Sequence, residues 1–320
     1  MSVKIVIADD RYPHYRQETE ALQPLGAEII TVKSQAAADL VQACANANGL
    51  IVNLAPITAE VIGAMTKCKV ISRYGVGYDN VDVKAATAKG IWVANVPDYC
   101  GEDVSDQALA LLMSCVRKVA LRDRQVRAGT WDIQSAGPQW RLQGKTLVLF
   151  GFGQIARILH RKLAGFQLGR VLVVDPFVDA ETIRAAGAEK SDWDAALAEG
   201  DFFSIHMPLN DKTRGLFNEA VFRKMKRTAI IVNTSRGPII DEQALYKALK
   251  EGWINSAGLD VFEKEPINQD NPLLTIDNIT VSGHTGWYTE ESLLELKRKA
   301  AENVRDALTR GKPKYPVNKI

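Results

Sequence analysis

Residues 147–156 read LVLFGFGQIA, an apolar run that enters a glycine-rich turn in the middle of the chain. The run has the character of a buried strand, and the residues after the turn have that of a helix. A second apolar run, RVLVVD, ends at Asp175, at about the twenty-residue spacing that a dinucleotide-binding fingerprint requires. Gly151 is expected to make the tight turn, Gly153 to let the backbone approach a pyrophosphate, and Ala156 to allow close helix–sheet packing. The helix beginning near Gln154 offers unpaired N–H groups and a partial positive charge to the phosphates. A carboxylate at Asp175 accepts hydrogen bonds from the adenosine ribose and repels a 2′-phosphate. Neither Pro176 nor Phe177 could receive that phosphate, so the expected cofactor is NAD.

Working outward, strand-like runs alternate with helical patterns from the first residues. KIVIAD, AEIITV, GLIVNL, KVISRYG and IWVANV precede residue 98. DFFSIH, AIIVNT, SAGLDV and NITVSG follow the fingerprint. Such alternation predicts βα units and parallel sheets. Between the two sets, SDQALALLMSCVRKVALRDRQVRAG reads as one long helix or two in succession. The last segment, TEESLLELKRKAAENVRDALTRG, reads as an amphipathic helix capped by Thr289. A nucleotide domain that starts mid-chain leaves the first domain short of a closing element, which this final helix would supply. The expected fold is therefore α/β with two doubly wound parallel-sheet domains. A Rossmann NAD-binding domain (99–285) is inserted into a flavodoxin-like substrate domain (1–98 plus 286–320), with the active site in the cleft between them.

The composition is that of an ordinary globular protein, 46% hydrophobic and 24% charged, with a formal net charge of +2. It carries no basic run of the kind that binds nucleic acid or an anionic membrane, and no apolar stretch long enough to span a bilayer. Cys44, Cys68, Cys100 and Cys115 show no CxxC spacing and no companion histidines, so neither a disulfide framework nor a metal site is expected. The start, MSVKIVIADD, lacks a signal-peptide layout, and a cytoplasmic enzyme fits best.

Hydride transfer to a carbonyl carbon leaves charge on the oxygen, so a proton donor is needed beside the cofactor. The chain has four histidines. His14 lies in the polar loop DRYPHYR, and His160 is expected on a solvated helix face. His206 and His284 both fall where a strand ends, in SIHMP and TVSGHTG, the place where open α/β sheets bind ligands. Arg236 follows another strand, where a guanidinium could clamp a carboxylate in two-pronged fashion. Asp260, Glu263 and Glu265 in GLDVFEKEP could each hold a histidine in its acid–base tautomer, and the sequence pattern does not choose among them.

SRYGVGYDNVD, GFGQIA with Asp175, SIHMPLNDKT, VNTSRGPIIDEQAL, GLDVFEKEP and GHTGWYTEES occur together in order over nearly the whole chain. In this the chain resembles the D-isomer-specific 2-hydroxyacid dehydrogenases. The resemblance implies the interrupted two-domain layout and a homodimer built around the long helix after residue 101. It makes Arg236 the substrate-binding arginine, Glu265 the histidine-orienting acid and His284 the acid/base. It sets Asp260 beside the nicotinamide, and His206, Pro208, Thr234 and Ser235 along the cofactor, with Gln154, Ile155 and Gly286. Val76 and Gly77 match backbone positions that hold the substrate carboxylate, and Arg73 and Trp287 are further candidate substrate contacts.

Three positions depart from the family's usual pattern. Ala156 replaces a third glycine, and Gly283 stands where proline normally precedes the histidine. HTGWYTEES is more similar to the C-terminal binding protein corepressors than to phosphoglycerate dehydrogenases, a likeness that implies Trp287 faces the pocket, with a simple packing role as the alternative. The chain ends soon after the closing helix, so feedback control through a C-terminal regulatory domain is not expected. The expected activity is reversible, NAD-dependent interconversion of a small D-2-hydroxy acid and its 2-keto acid. The alternative is an NAD(H)-sensing dimeric interaction protein of corepressor type with little turnover.

Overall fold

The first five apolar runs form strands β1 (Lys4–Ala8), β2 (Glu28–Val32), β3 (Gly49–Val52), β4 (Val70–Arg73) and β5 (Trp92–Ala94). They pair in parallel in the order β2-β1-β3-β4-β5, the flavodoxin-like arrangement. The structure, a computed structural model, describes residues 2–9 and 12–320. These strands belong to one unit, Met1–Cys100 with Tyr288–Ile320, and a second unit comprises Gly101–Trp287.

The second unit is built on β6 (Thr146–Phe150), β7 (Arg170–Val174), β8 (Glu189–Lys190), β9 (Phe202–Ile205), β10 (Ile230–Asn233), β11 (Ser256–Leu259) and β12 (Ile279–Val281). Its sheet is parallel throughout and runs β12-β11-β10-β9-β6-β7-β8. Counted from β6, this is the Rossmann order with a seventh strand at one edge, and the strand order reverses between β6 and β9. The two-residue β8 is too short and too polar to read from the sequence.

Both sheets are buried on both faces, which is why their strands are nearly unbroken apolar runs. In the second unit Val148, Phe150, Phe203, Phe217 and Leu245 fill one face. Leu111, Leu147, Leu149, Leu159 and Val173 fill the other. Leu111 comes from the helix Gly101–Arg117, which ends where Lys118 adopts a left-handed φ of 52°; a separate helix, Val119–Arg127, follows. The sequence had left one helix or two open, and Lys118 decides for two.

In the first unit the helix Glu290–Arg310 packs against the helix Arg16–Leu22 and against β3 and β4. Thr289 caps its N-terminus: its side chain accepts from the Ser292 amide, and the Ser292 side chain answers the Thr289 amide. Among the described residues, no helix is long and apolar enough to cross a membrane. Nor, among those residues, is there a cluster of three or more His, Cys, Asp or Glu side chains placed to hold a metal ion.

Candidate active site

The turn after β6 has the geometry that a dinucleotide needs. Gly151 has φ +91°, and a Cβ there would lie 2.8 Å from the His206 carbonyl oxygen, so both conformation and space demand glycine. A Cβ on Gly153 would meet open space, and the helix Gln154–Lys162 starts beside it with no side chain capping its N-terminus. Gly153 and Gln154 are exposed and Ile155 half-buried, while Ala156 is buried against the core. The sequence motif has thus become an uncovered set of helix N–H groups next to vacant space, which suits a pyrophosphate.

Asp175, after β7, accepts from the Phe152 amide at 2.8 Å and from the Phe177 and Val178 amides at 2.7 and 3.1 Å. A carboxylate offers about four acceptor sites, so three amides hold it in place and leave capacity for a ribose hydroxyl. Pro208 is exposed, and Ser235 Oγ donates to the Ile205 carbonyl at 2.6 Å. Thr234 Oγ1 is buried without a hydrogen-bond partner, an acceptor or donor for a polar group of the dinucleotide.

The four histidines separate clearly. His14 is exposed. His160, expected on a solvated face, is half-buried: Nε2 lies 2.9 Å from the Ala186 carbonyl oxygen, and the ring packs near Phe152. The correction has a simple cause, since the helix carrying His160 turns that position toward the segment 180–188. His206 Nε2 lies 2.8 Å from Ser204 Oγ, and desolvation pushes its pKa down to about 4. It is a neutral ring in the folded protein. Among the described residues, His284 alone of the four has a carboxylate hydrogen-bond partner, with Nδ1 2.6 Å from Glu265 Oε2.

The three candidate acids also separate. Glu263 and Glu242 exchange hydrogen bonds through their backbone amides and carboxylates, on an exposed surface. Glu265 faces His284, and its other oxygen accepts from the Phe262 amide at 3.0 Å. Burial pushes the Glu265 carboxyl up. The hydrogen bond and charge of His284, the Phe262 amide and the charge of Arg236 together outweigh it and hold the group below the usual carboxylate range.

Asp260 is the buried acid, 1% exposed. Its Oδ1 accepts from Ser282 Oγ at 2.6 Å and the Thr285 amide at 2.9 Å, its Oδ2 from the Gly286 amide at 2.8 Å. Its backbone oxygen accepts from the His284 amide at 2.7 Å. His284 itself has φ +57°, a strained conformation for a side-chain-bearing residue. Gln107 donates to Ser282 Oγ at 2.8 Å and so extends the anchor to the long helix. Reading the sequence alone missed Ser282 and Gln107. The only hint of either was a polar residue set within the apolar pattern of its segment.

Arg236 follows β10. Its Nη1 donates to the Ser235 carbonyl at 2.7 Å, and its own carbonyl accepts from Asn233 at 2.9 Å. Arg236, Glu265, His284, Trp287 and all the expected cofactor residues lie in the second unit. Arg73, Val76 and Gly77 lie in the first, directly after β4. There Gly75, φ +139°, makes room for Arg73, whose Nη1 would sit 1.6 Å from an added Cβ.

Residues 109–286 match the family model of the D-isomer specific 2-hydroxyacid dehydrogenase NAD binding domain. The chain is 43% identical over 253 residues to a glyoxylate reductase of Korarchaeum cryptofilum, covering 78% of this chain and 76% of that one. It is 34% identical over 303 residues to a D-3-phosphoglycerate dehydrogenase of Archaeoglobus fulgidus, covering 94% of this chain but 56% of that longer protein. Among solved structures, a glyoxylate reductase from Paecilomyes thermophila superposes with a TM-score of 0.90 at 29% identity, over 99% of both chains.

The neutral state of His206 has a measurable consequence. Its folded pKa, about 4, lies below the ordinary histidine value of 6.5, so between those values the unfolded chain binds the extra proton. Its contribution to stability is complete above pH 6.5 and is lost as pH falls toward 4. The denaturation midpoint should therefore fall with acidification across this window, and His206→Gln should flatten the slope. An unchanged slope in the variant would show that His206 does not carry it.

Proposed function

The chain belongs to the D-isomer specific 2-hydroxyacid dehydrogenase family, and we propose that it reduces a small 2-keto acid to the D-2-hydroxy acid, and the reverse, with His284 as the acid/base. Glyoxylate, which gives two of the similar proteins their name, is the first candidate substrate. The observation that carries the reading is the 2.6 Å contact between His284 Nδ1 and Glu265.

With Nδ1–H donated to Glu265, Nε2 is the nitrogen left to handle a substrate proton. Glu265 stays a carboxylate into the acid range and so can balance the imidazolium that the reductive direction requires. His284 then gives its Nε2 proton to the carbonyl oxygen as C2 becomes tetrahedral, and takes it back in the oxidative direction. Arg236 receives the substrate carboxylate through a two-pronged contact. By the family resemblance, the backbone amides of Val76 and Gly77 serve the same carboxylate, and Arg73 and Trp287 face the rest of the molecule. The chain carries an NAD-binding domain, and a dinucleotide held there would supply or accept the hydride. Gly151, Gly153, Gln154 and Ile155 would hold its pyrophosphate and Asp175 its ribose. His206, Pro208, Thr234, Ser235, Asp260 and Gly286 would line the remainder. The four cysteines, all buried and none in a disulfide, support a reducing cytoplasm as the compartment.

A second copy of the chain is the partner we assign to the exposed segment after Arg127. Trp131 and Ile133 are 90% and 82% exposed. Their backbone is nonetheless pinned by Arg122, which donates to the Ile133 carbonyl at 2.9 Å, and by Gln125, which bonds Ser135. Rigidly presented apolar side chains beside an exposed Val119 and Val126 suit a symmetric interface.

NADH-dependent reduction of a panel of 2-keto acids, glyoxylate and hydroxypyruvate first, should show turnover. His284→Ala should lower kcat by about 10²–10⁴-fold and leave NADH affinity unchanged. No turnover with any keto acid, or a fully active variant, would sink the assignment. NADH should exceed NADPH in kcat/KM, and equal efficiency with both would contradict the role given to Asp175. Sedimentation should give a dimer that Trp131→Asp with Ile133→Asp converts to monomer; a wild-type monomer would refute the interface.

A further inference from the structure

The first unit contains a buried polar cluster that the chemistry above does not use. Lys297, on the helix Glu290–Arg310, is 1% exposed, and Glu18 beside it is 0% exposed. A buried ammonium is costly unless it is paired and hydrogen-bonded. Lys297 Nζ donates to the His14 carbonyl and lies 3.7 Å from Glu18 Oε2. The rings of Tyr12 and Tyr15 flank it at 5.1 and 5.4 Å, within cation–π range. Glu18 Oε1 in turn accepts from Tyr74 Oη at 2.7 Å, and the Tyr12 and Tyr74 rings meet edge-on at 5.4 Å. One cation thus ties the segment after β1 to the residue that follows β4.

A second line leaves the same helix two turns later. Asn303, 0% exposed, donates to the Asn95 carbonyl at 2.9 Å. Asn95 Nδ2 donates to the Val76 carbonyl at 2.7 Å, and the Val96 amide to the Gly75 carbonyl at 2.9 Å. The peptide bonds on either side of Val76 are trans, and in a trans peptide the C=O and the next N–H point in opposite directions. With the carbonyls of Gly75 and Val76 both drawn toward Asn95 and Val96, the amides of Val76 and Gly77 are turned the other way. Two successive outward amides are a carboxylate receptor.

We propose that Lys297 and Asn303 are positioning residues for the loop 73–77: through Glu18–Tyr74 and through Asn95 they aim the Val76 and Gly77 amides, and so set the affinity for the keto-acid carboxylate. The proposal rests on the reading that these amides contact substrate. It adds the parts of the fold that hold them in that orientation, which lie away from any reacting atom.

The test uses the full chain with two independent variants. Asn95→Ala releases the Val76 carbonyl. Lys297→Met combined with Glu18→Gln removes the cation without leaving a buried carboxylate behind. Each should raise KM for glyoxylate about tenfold, the size expected when a hydrogen bond to a charged group is weakened. Neither should alter KM for NADH or kcat at saturating glyoxylate, and Lys297→Arg, which keeps the charge, should retain most of the affinity. Variants that melt at lower temperature with an unchanged glyoxylate KM would overturn the proposal. Oxalate binding to the NADH-loaded protein, followed by tryptophan fluorescence, separates the two readings. If the wild type reduces no keto acid yet binds oxalate, and the variants lose that binding, the enzymatic reading fails and the positioning role stands. If the wild type neither turns over nor binds, both fall.

Discussion

Asp260 takes both of its carboxylate oxygens out of water and gives them to the loop that carries His284. Burying such a group is unfavourable in itself. Hydrogen bonds to a charged acceptor contribute about 1.5–3 kcal/mol each, and three of them, from a hydroxyl and two backbone amides, offset the desolvation. The remaining donor, the His284 amide, meets the Asp260 backbone oxygen. His284 consequently stays at φ +57°, a left-handed conformation that costs on the order of 1 kcal/mol or more and persists only where the surroundings over-determine it. This anchor sets the direction in which Nδ1 meets Glu265.

The anchor also resolves the departure at Gly283. A proline before the histidine would stiffen the loop by fixing φ, and glycine adds freedom instead. Rigidity here comes from the residues after the histidine, through Thr285 and Gly286, and from Ser282 before it. Gln107 carries the same restraint to the helix Gly101–Arg117, which packs on β10 and β11. A chain can dispense with a stiff residue when hydrogen bonds restrain the backbone on both sides of it.

Much of this was legible in the sequence, for identifiable reasons. Parallel strands buried on both faces advertise themselves as apolar runs, so eleven of the twelve strands among the described residues could be read and only the short, polar Glu189–Lys190 could not. The glycine turn and Asp175 were legible because both roles depend on residue type and local spacing. The choice among Asp260, Glu263 and Glu265 was not. Three acids within six residues are equivalent as a pattern and differ only in where the chain aims them: one inward to a loop, one to the Glu242 amide, one to a histidine. The break at Lys118 was equally hidden, since its side chain reaches across to the Ala136 carbonyl, a partner 18 residues away.

The helix Glu290–Arg310 shows where periodicity misleads. Its apolar stripe is plain, yet Lys297, Lys299, Asn303 and Asp306 are buried along it, and a pattern reading would leave each of them in water. Lys297, Lys299 and Asn303 are inside because this helix lies against the segments that follow β1 and β5, where strands end and backbone carbonyls are no longer paired within the sheet. An unpaired buried carbonyl needs a donor, and a long polar side chain on the neighbouring helix is the nearest source. The two units thereby meet the same requirement with opposite charges. In one, a buried carboxylate gathers amides to shape a loop; in the other, a buried ammonium and an amide side chain gather carbonyls. In each case the loop lies beyond the carboxyl end of a parallel strand, where the sheet supplies a fixed platform but no partners.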